Sequence, residues 1–197
     1  MRLTCHQQAN VRAIVSALAL HLLPMDVPIS SPGNDNEWEQ AIGLLKRVYV
    51  GDGYSTADRA EIFMQRASFE AGGEMLLARD TSGNVVGAVL QLHANGPLAQ
   101  VARDGEAEFR VLAVAPEARG QGIGEALVNA CVQRARAAGA PAVALWSQPT
   151  MPAAHRLYER MGFVRTPERD QEDARGFMRL VFRKRLEPDP GQAMAGG

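Results

Sequence analysis

Six consecutive residues, Arg119-Gly120-Gln121-Gly122-Ile123-Gly124, carry the strongest chemical signal in the chain. Glycines let the backbone turn tightly and bring its N–H groups up to a ligand. A helix beginning at the end of the loop adds unpaired amides and a positive dipole end. Such a loop holds phosphate oxygens, and Arg119 supplies a charge-assisted contact beside it. Spacing decides among the nucleotide loops that use this physics. A Walker loop requires Gly-Lys-Ser/Thr, and no lysine stands here. A dinucleotide fingerprint requires a third glycine where this chain has Glu125 or Leu127, depending on the starting glycine. Three alternating glycines behind an arginine also exceed what a simple turn needs.

Other reactive side chains are less specific when read alone. Tyr158 and His155, one helical turn apart, fit the edge of an amphipathic helix. Glu108, with Glu106 nearby, opens an apolar run, where a glutamate is ordinarily solvated. Cys131 lies in an Ala/Val-rich helical stretch and reads as a small buried hydrophobe. Cys5 is far from it in sequence, and no CxxC or Cys/His spacing suits zinc, so neither a disulfide scaffold nor a metal site is expected.

The elements that must position the loop follow from periodicity and turn chemistry. A short apolar piece (27–30) and the turn Ser31-Pro32-Gly33-Asn34-Asp35 precede a helix capped by Asn36, with Ala41, Leu44, Leu45 and Val48 on one face and a stop at Gly51-Asp52-Gly53. A second helix, capped by Ser55 or Thr56, ends before Gly72-Gly73. Runs 74–79 and 85–92 form a hairpin around Asp80-Thr81-Ser82-Gly83-Asn84. A strand over 108–115 feeds the glycine loop and a helix over 122–138. Then come a strand over 141–147, a helix over 151–161 and a last strand over 176–183. The predicted order β-α-α-β-β-β-α-β-α-β describes an α/β chain of α+β type, a mixed sheet with helices on its faces.

Composition bounds the partners. The chain has 197 residues, enough for one domain. Its 21 Lys+Arg against 22 Asp+Glu give a net charge of −1, so nothing announces a nucleic acid or an anionic membrane. The apolar run from Ala13 to Leu23 is too short to span a bilayer, and the small-residue site at Ala17-Leu18-Ala19 falls inside it, against a secretory signal. Residues 1–24 therefore read as an N-terminal extension, or as residues upstream of a start at Met25. Residues 25–187 read as the domain, and 188–197 as a disordered Pro/Gly tail. A cytoplasmic location is the expectation.

The strand Leu112-Ala113-Val114-x-Pro116 followed by R-x-x-G-x-G resembles the acetyl-CoA loop of the GNAT superfamily of N-acetyltransferases. A second stretch, Ala154-His155-Arg156-Leu157-Tyr158-Glu159-Arg160-Met161-Gly162-Phe163, is similar to that superfamily's A-x-x-L-Y-x-x-x-G-F signature. The two motifs stand in the right order, and the resemblance spans Glu108 to about Phe182.

The resemblance implies a fold, a reaction and roles. The fold is a six- to seven-stranded, mostly antiparallel sheet splayed where the cofactor enters, with helices on both faces. Acetyl-CoA, with no metal, is the implied co-substrate. Its pantetheine arm would lie along Leu112, Ala113 and Val114, and its pyrophosphate on Arg119, Gly120, Gln121, Gly122, Ile123 and Gly124. The Val114 N–H would polarise the thioester carbonyl. Tyr158 stands where the family carries its general acid. Glu108, eleven residues before the loop arginine, stands where the histone-acetylating branch carries its base. The branch that acetylates ribosomal-protein N-termini reads L-E-V-R-E-S-N before the tyrosine, and Leu145-Trp146-Ser147-Gln148-Pro149-Thr150-Met151 departs from it. The expected activity is acetyl transfer to a primary amine of a small molecule, with Tyr49, Asp52 and Tyr54 as candidate acceptor-loop residues. A protein-lysine acetyltransferase and a non-catalytic acyl-CoA sensor are the alternatives. A homodimer is compatible with the resemblance, and no interface is legible.

Overall fold

A computed structural model describes residues 27–173 and 176–187. The readings made for residues 1–24 and 188–197 fall outside them. Helix α1 (Asp35–Gly51) shows how local chemistry sets an element. Asn34, extended at φ −159°, accepts a hydrogen bond from the Glu37 amide (3.0 Å), and the Glu37 carboxylate accepts one from the Gly33 amide (2.6 Å). This reciprocal pair satisfies two amides otherwise without partners. The cap is thus Asn34 and not Asn36, which leaves Asp35 and Glu37 in the first turn where the helix dipole favours acids. Trp38, Ala41, Leu44, Leu45 and Val48 form the buried stripe.

The stretch expected to make one further helix makes two, α2 (Ala57–Phe63) and α3 (Arg66–Gly72). Thr56 caps α2, accepting from the Arg59 amide (3.4 Å). Met64, at φ −98° and ψ 63°, leaves the helical region and buries its side chain, while Ile62 and Phe63 stay exposed. No single apolar stripe runs through 57–72, so one straight helix would lose Met64 or Phe69 from the core.

The strands are β1 (Ile29–Ser30), β2 (Gly73–Arg79), β3 (Val85–Leu92), β4 (Ala107–Val114), β5 (Ala142–Ser147), β6 (Val164–Arg165), β7 (Gln171–Glu172) and β8 (Met178–Arg185). They form one mixed sheet in the order β1-β2-β3-β4-β5-β8-β6, with β7 also on β8. Every pairing is antiparallel except β4 with β5. The β2–β3 turn is closed by Asp80, whose Oδ1 accepts from the Ser82 and Asn84 amides (2.9 and 2.8 Å).

Helices α4 (Ile123–Ala137) and α5 (Pro152–Arg160) follow the glycine loop and β5. Helix α4 buries Ile123, Leu127, Val128, Cys131, Val132 and Ala135 against β3 and β4. Its close approach requires Gly87 on β3, where a Cβ would meet Ile123 Cγ2 at 2.7 Å and Leu127 Cδ1 at 2.9 Å. Among the described residues, no helix is long and apolar enough to cross a membrane.

One irregularity positions the site. Strands β4 and β5 pair only at Ala107↔Val143 and Glu108↔Ala144. Beyond that, β4 continues along β3 as far as Gly87↔Val114, and β5 continues along β8 as far as Ser147↔Leu180. A bulge accompanies the parting: the β3–β4 register shifts between Ala88 and Leu90, and Val111 takes φ 52°. A bulge bends a strand and sharpens its twist. A β-branched residue at positive φ is a genuine outlier, at a cost of about 1–3 kcal/mol.

Candidate active site

The parted strands open a cleft of about 820 Å³ whose walls include Val111 to Val114 of β4, Leu145 to Ser147 of β5, the glycine loop and α5. Its glycine-loop end is built from backbone. Gly120 and Gly122 sit at φ 77° and 78°, and a Cβ on either would meet nothing within 4 Å. The positive φ demands glycine, and the open space leaves room for a ligand. Gly122 is the N-cap of α4, and the Ala126 amide is the first to find an acceptor one turn back, on Gly122 O (2.9 Å). The amides of Ile123, Gly124 and Glu125 have no such carbonyl, the arrangement that binds anions at a helix start. Gly124 serves packing, its Cα facing Leu157 of α5 closely enough that a Cβ would stand 3.3 Å from Leu157 Cδ2.

Arg119 does not stand free beside this loop. Its Nη2 donates to Asp52 Oδ2 (2.7 Å), tying the turn after α1 to the glycine loop. Asp52, expected to offer charge to an amine, is therefore committed to Arg119.

Along β4, the Ala115 amide donates to Val86 O on β3 (2.8 Å). Amides alternate along a strand, so the Val114 amide points to the other side, where β5 has receded. A tubular ligand with amide groups would find that edge unpaired. Tyr158 reaches the same cleft from α5, its ring packed edge-on to Phe109 and Phe163 and tilted against Phe182. Burial pushes its hydroxyl pKa well above the ordinary tyrosine value, with lesser contributions from Tyr49 and Cys131, so it stays protonated. His155 lies against Phe182, with Nε2 2.9 Å from Gln148 O, a packing role. Burial pushes the Cys131 thiol up to about 12, which suits the small buried hydrophobe read from sequence.

Glu108 is not where either sequence reading puts it. It is buried, and it is not among the residues that line the cleft. Its Oε2 accepts from the amides of Gln100, Val101 and Ala102 (3.0, 2.9 and 2.9 Å). A side chain so engaged holds the loop that carries Gln100 to the cleft wall, and is poorly placed to take a proton from an acceptor. Glu106 secures the other end of that loop, accepting from Arg169 Nη2 (2.7 Å) and Arg183 Nε (2.6 Å). Burial alone would raise its pKa, but the hydrogen bonds of Arg169 and Arg183 outweigh it and hold it at about 2.

Sequence reasoning missed the far end of the cleft. Arg110 of β4, Trp146 of β5 and Arg179 of β8 come together there, with both guanidinium carbons over the indole at 5.4 and 5.5 Å from its centroid. Phe177 meets Trp146 edge-on (5.7 Å), and Arg59 of α2 lies over Phe177 and Phe63. A charged residue inside the apolar run 108–115 was the one signal available for Arg110.

A sheet parted between two parallel strands, with unpaired amides at the mouth and a protonated tyrosine inside, forms a cleft whose donors suit an extended ligand bearing anionic and amide groups. The sequence comparison agrees: the model of the acetyltransferase (GNAT) family matches residues 38–163, and the chain belongs to that family. A mycothiol acetyltransferase of Propionibacterium freudenreichii subsp. shermanii is 30% identical over 134 residues, 66% of this chain and 40% of that protein. The chain spans about two fifths of the length of the mycothiol acetyltransferases it matches. Among solved structures, a GNAT-family acetyltransferase from Staphylococcus aureus has a TM-score of 0.63 at 15% identity, covering 82% of this chain and 99% of that one. The PaiA N-acetyltransferase of Thermoplasma acidophilum, solved in complex with coenzyme A, has a TM-score of 0.60 at 14% identity, covering 82% and 100%. These structures share the fold.

Proposed function

We propose that this protein is an acetyl-CoA-dependent N-acetyltransferase that acetylates a primary amine of a small molecule by direct attack. The observation that carries the reading is the continuity of one cleft, from the amide cradle at Gly120 to Glu125, along the free edge of β4, to Tyr158. When bound, acetyl-CoA supplies an activated thioester. The residues present fit it: the cradle takes phosphate oxygens, and the β4 edge offers strand hydrogen bonds to the amides of the arm. The coenzyme A held by the Thermoplasma fold neighbour supports the use of an acyl-CoA.

The Val114 N–H donates to the carbonyl oxygen as charge develops there. The amine nitrogen forms a bond to the acetyl carbon as the carbon–sulfur bond breaks, and Tyr158 donates its proton to the departing sulfur. An incoming ammonium must shed a proton before it attacks. The attacking nitrogen loses its second proton through water in the cleft, which restores the Tyr158 hydroxyl, so the amide and free thiol form with one net proton released to solution. Glu108 acts as a positioning residue for the Gln100 loop.

Incubation with acetyl-CoA and a panel of amines, with free thiol as the readout, tests this reading. Thiol release with an amine and the matching acetylated product by mass are expected. Tyr158→Phe should lower kcat by about a hundredfold, the lower end of what a general acid contributes. Tight acetyl-CoA binding with no thiol release for any amine or peptide would leave a sensor, and turnover of lysine peptides alone would leave a protein acetyltransferase.

A further inference from the structure

Five buried side-chain N or O atoms among the described residues have no hydrogen-bond partner, and they divide by place. The two acceptors, Gln91 Oε1 and Glu108 Oε1, belong to residues off the cleft wall. The three donors, Arg110 Nε, Trp146 Nε1 and Arg179 Nε, all belong to residues on it. These three come from adjacent strands and meet at one indole ring. A buried donor without an acceptor is costly, and more so when it is charged. Three of them on side chains gathered round one ring at the wall of a cleft form a cluster of donors without acceptors.

The acids near this cluster do not supply one. Glu108 acts on Arg110 by charge, but its Oε2 is spent on three amides and its Oε1 meets no donor within hydrogen-bond distance, Arg110 included. Asp173 Oδ2 forms an ion pair with Arg179 Nη2 at 3.9 Å, beyond hydrogen-bond distance, and leaves Arg179 Nε without an acceptor. Asp52 is held by Arg119. Arg110 Nη1 donates to Leu98 O (3.0 Å), which fixes the guanidinium while leaving its Nε without an acceptor. Planar guanidiniums match a carboxylate fork to fork, and an indole N–H adds a third donor.

Resting on the N-acetyltransferase reading, we propose that the acceptor is an amino acid with a free carboxylate, which Arg110, Arg179 and Trp146 bind while its amine faces the thioester. The carboxylate supplies the acceptors the three donors lack, and the aromatic rings of Phe177 and Phe63 border the space left for the side chain. The cluster sets specificity, while the chemistry of transfer is left to the β4 edge and Tyr158.

The test compares each of the twenty protein amino acids with its own carboxamide. The carboxamide keeps the shape, and its amine is the less basic and so the more available for attack, which biases the comparison against the proposal. At least one amino acid should exceed its carboxamide in kcat/KM by tenfold or more. Arg179→Gln should bring that ratio towards one, mainly through KM of the amino acid, and Arg179→Lys should restore part of it. If Arg179→Gln fails to fold, Trp146→Phe, which removes one donor and keeps the ring, should still reduce the ratio. A wild-type ratio of one or less for every pair would overturn the proposal, as would an Arg179→Gln variant that lowers both members of a pair equally.

Calorimetry of the same pairs with the coenzyme A-bound protein separates the two readings. Amino acids that bind more tightly than their carboxamides without any turnover would uphold the carboxylate subsite and sink the N-acetyltransferase reading. Turnover of uncharged amines with no preference for carboxylates would do the reverse.

Discussion

Gly122 is the residue on which the proposed cofactor end of the site turns. It holds φ 78°, caps α4 and leaves open space where a side chain would project. A carboxylate there would occupy the phosphate position and meet the same amides that attract anions. Gly122→Asp should therefore abolish measurable acetyl-CoA binding by calorimetry while the chain still folds, since Asp tolerates the left-handed region better than most residues. Binding within threefold of wild type would remove the loop from the cofactor site. Gly124 is a different case two residues away: its lack of a Cβ lets α4 and α5 approach, so its substitution perturbs packing first. Residue types alone do not separate these two glycines.

At the scale of elements, the bulge in β4 is the device that opens the cleft. Strand β4 needs to stay paired with β3 while leaving β5, and an extra residue opposite Val89 supplies the bend. The strain at Val111 follows from that demand. Val111→Gly relieves the backbone and removes a half-buried side chain, two effects of similar size and opposite sign, so stability in urea should change by less than about 1 kcal/mol. Val89→Gly, at a fully buried position of β3 that has no positive φ to relieve, should cost about 3 kcal/mol. Equal losses at the two positions would show that Val111 carries no strain. Helix α2 and its companion α3 teach a related lesson: turn residues announced the ends of 57–72, but the break at Met64 came from what the core could accept.

Across the whole molecule, the Glu106 network joins the loop before β4 to the turn at Pro167–Arg169 and to β8. Glu106 has a folded pKa of about 2 against an ordinary 4.5, so its contribution is fully present above pH 4.5 and is lost as the pH falls towards 2. At about 1.4 kcal/mol per unit, that contribution is on the order of 3 kcal/mol. Glu106→Gln should flatten this part of the acid limb in thermal melts at pH 7, 5 and 3. At pH 7 it should cost about 3 kcal/mol, because Arg169 would keep a buried charge without its partner. A variant whose melting temperature falls with acid as steeply as wild type would show that other carboxylates carry the dependence.

What the chain determined by itself is whatever can be read along it. Glycine spacing fixed the cradle, turn residues and periodicity fixed the order of most strands and helices, and the motif around Tyr158 placed an acid candidate on α5. These signals are local, because propensity, caps and positive φ act over a few residues. The tertiary structure decided what depends on strand register and on desolvation. It limited the β4–β5 pairing to two residue pairs, turned Glu108 from a proposed base into an anchor for three amides, and committed Asp52 to Arg119. It also gathered Arg110, Trp146 and Arg179, far apart in sequence, around one ring. Two arginines and a tryptophan on three strands look like ordinary strand residues until pairing makes them neighbours and burial takes water from their donors.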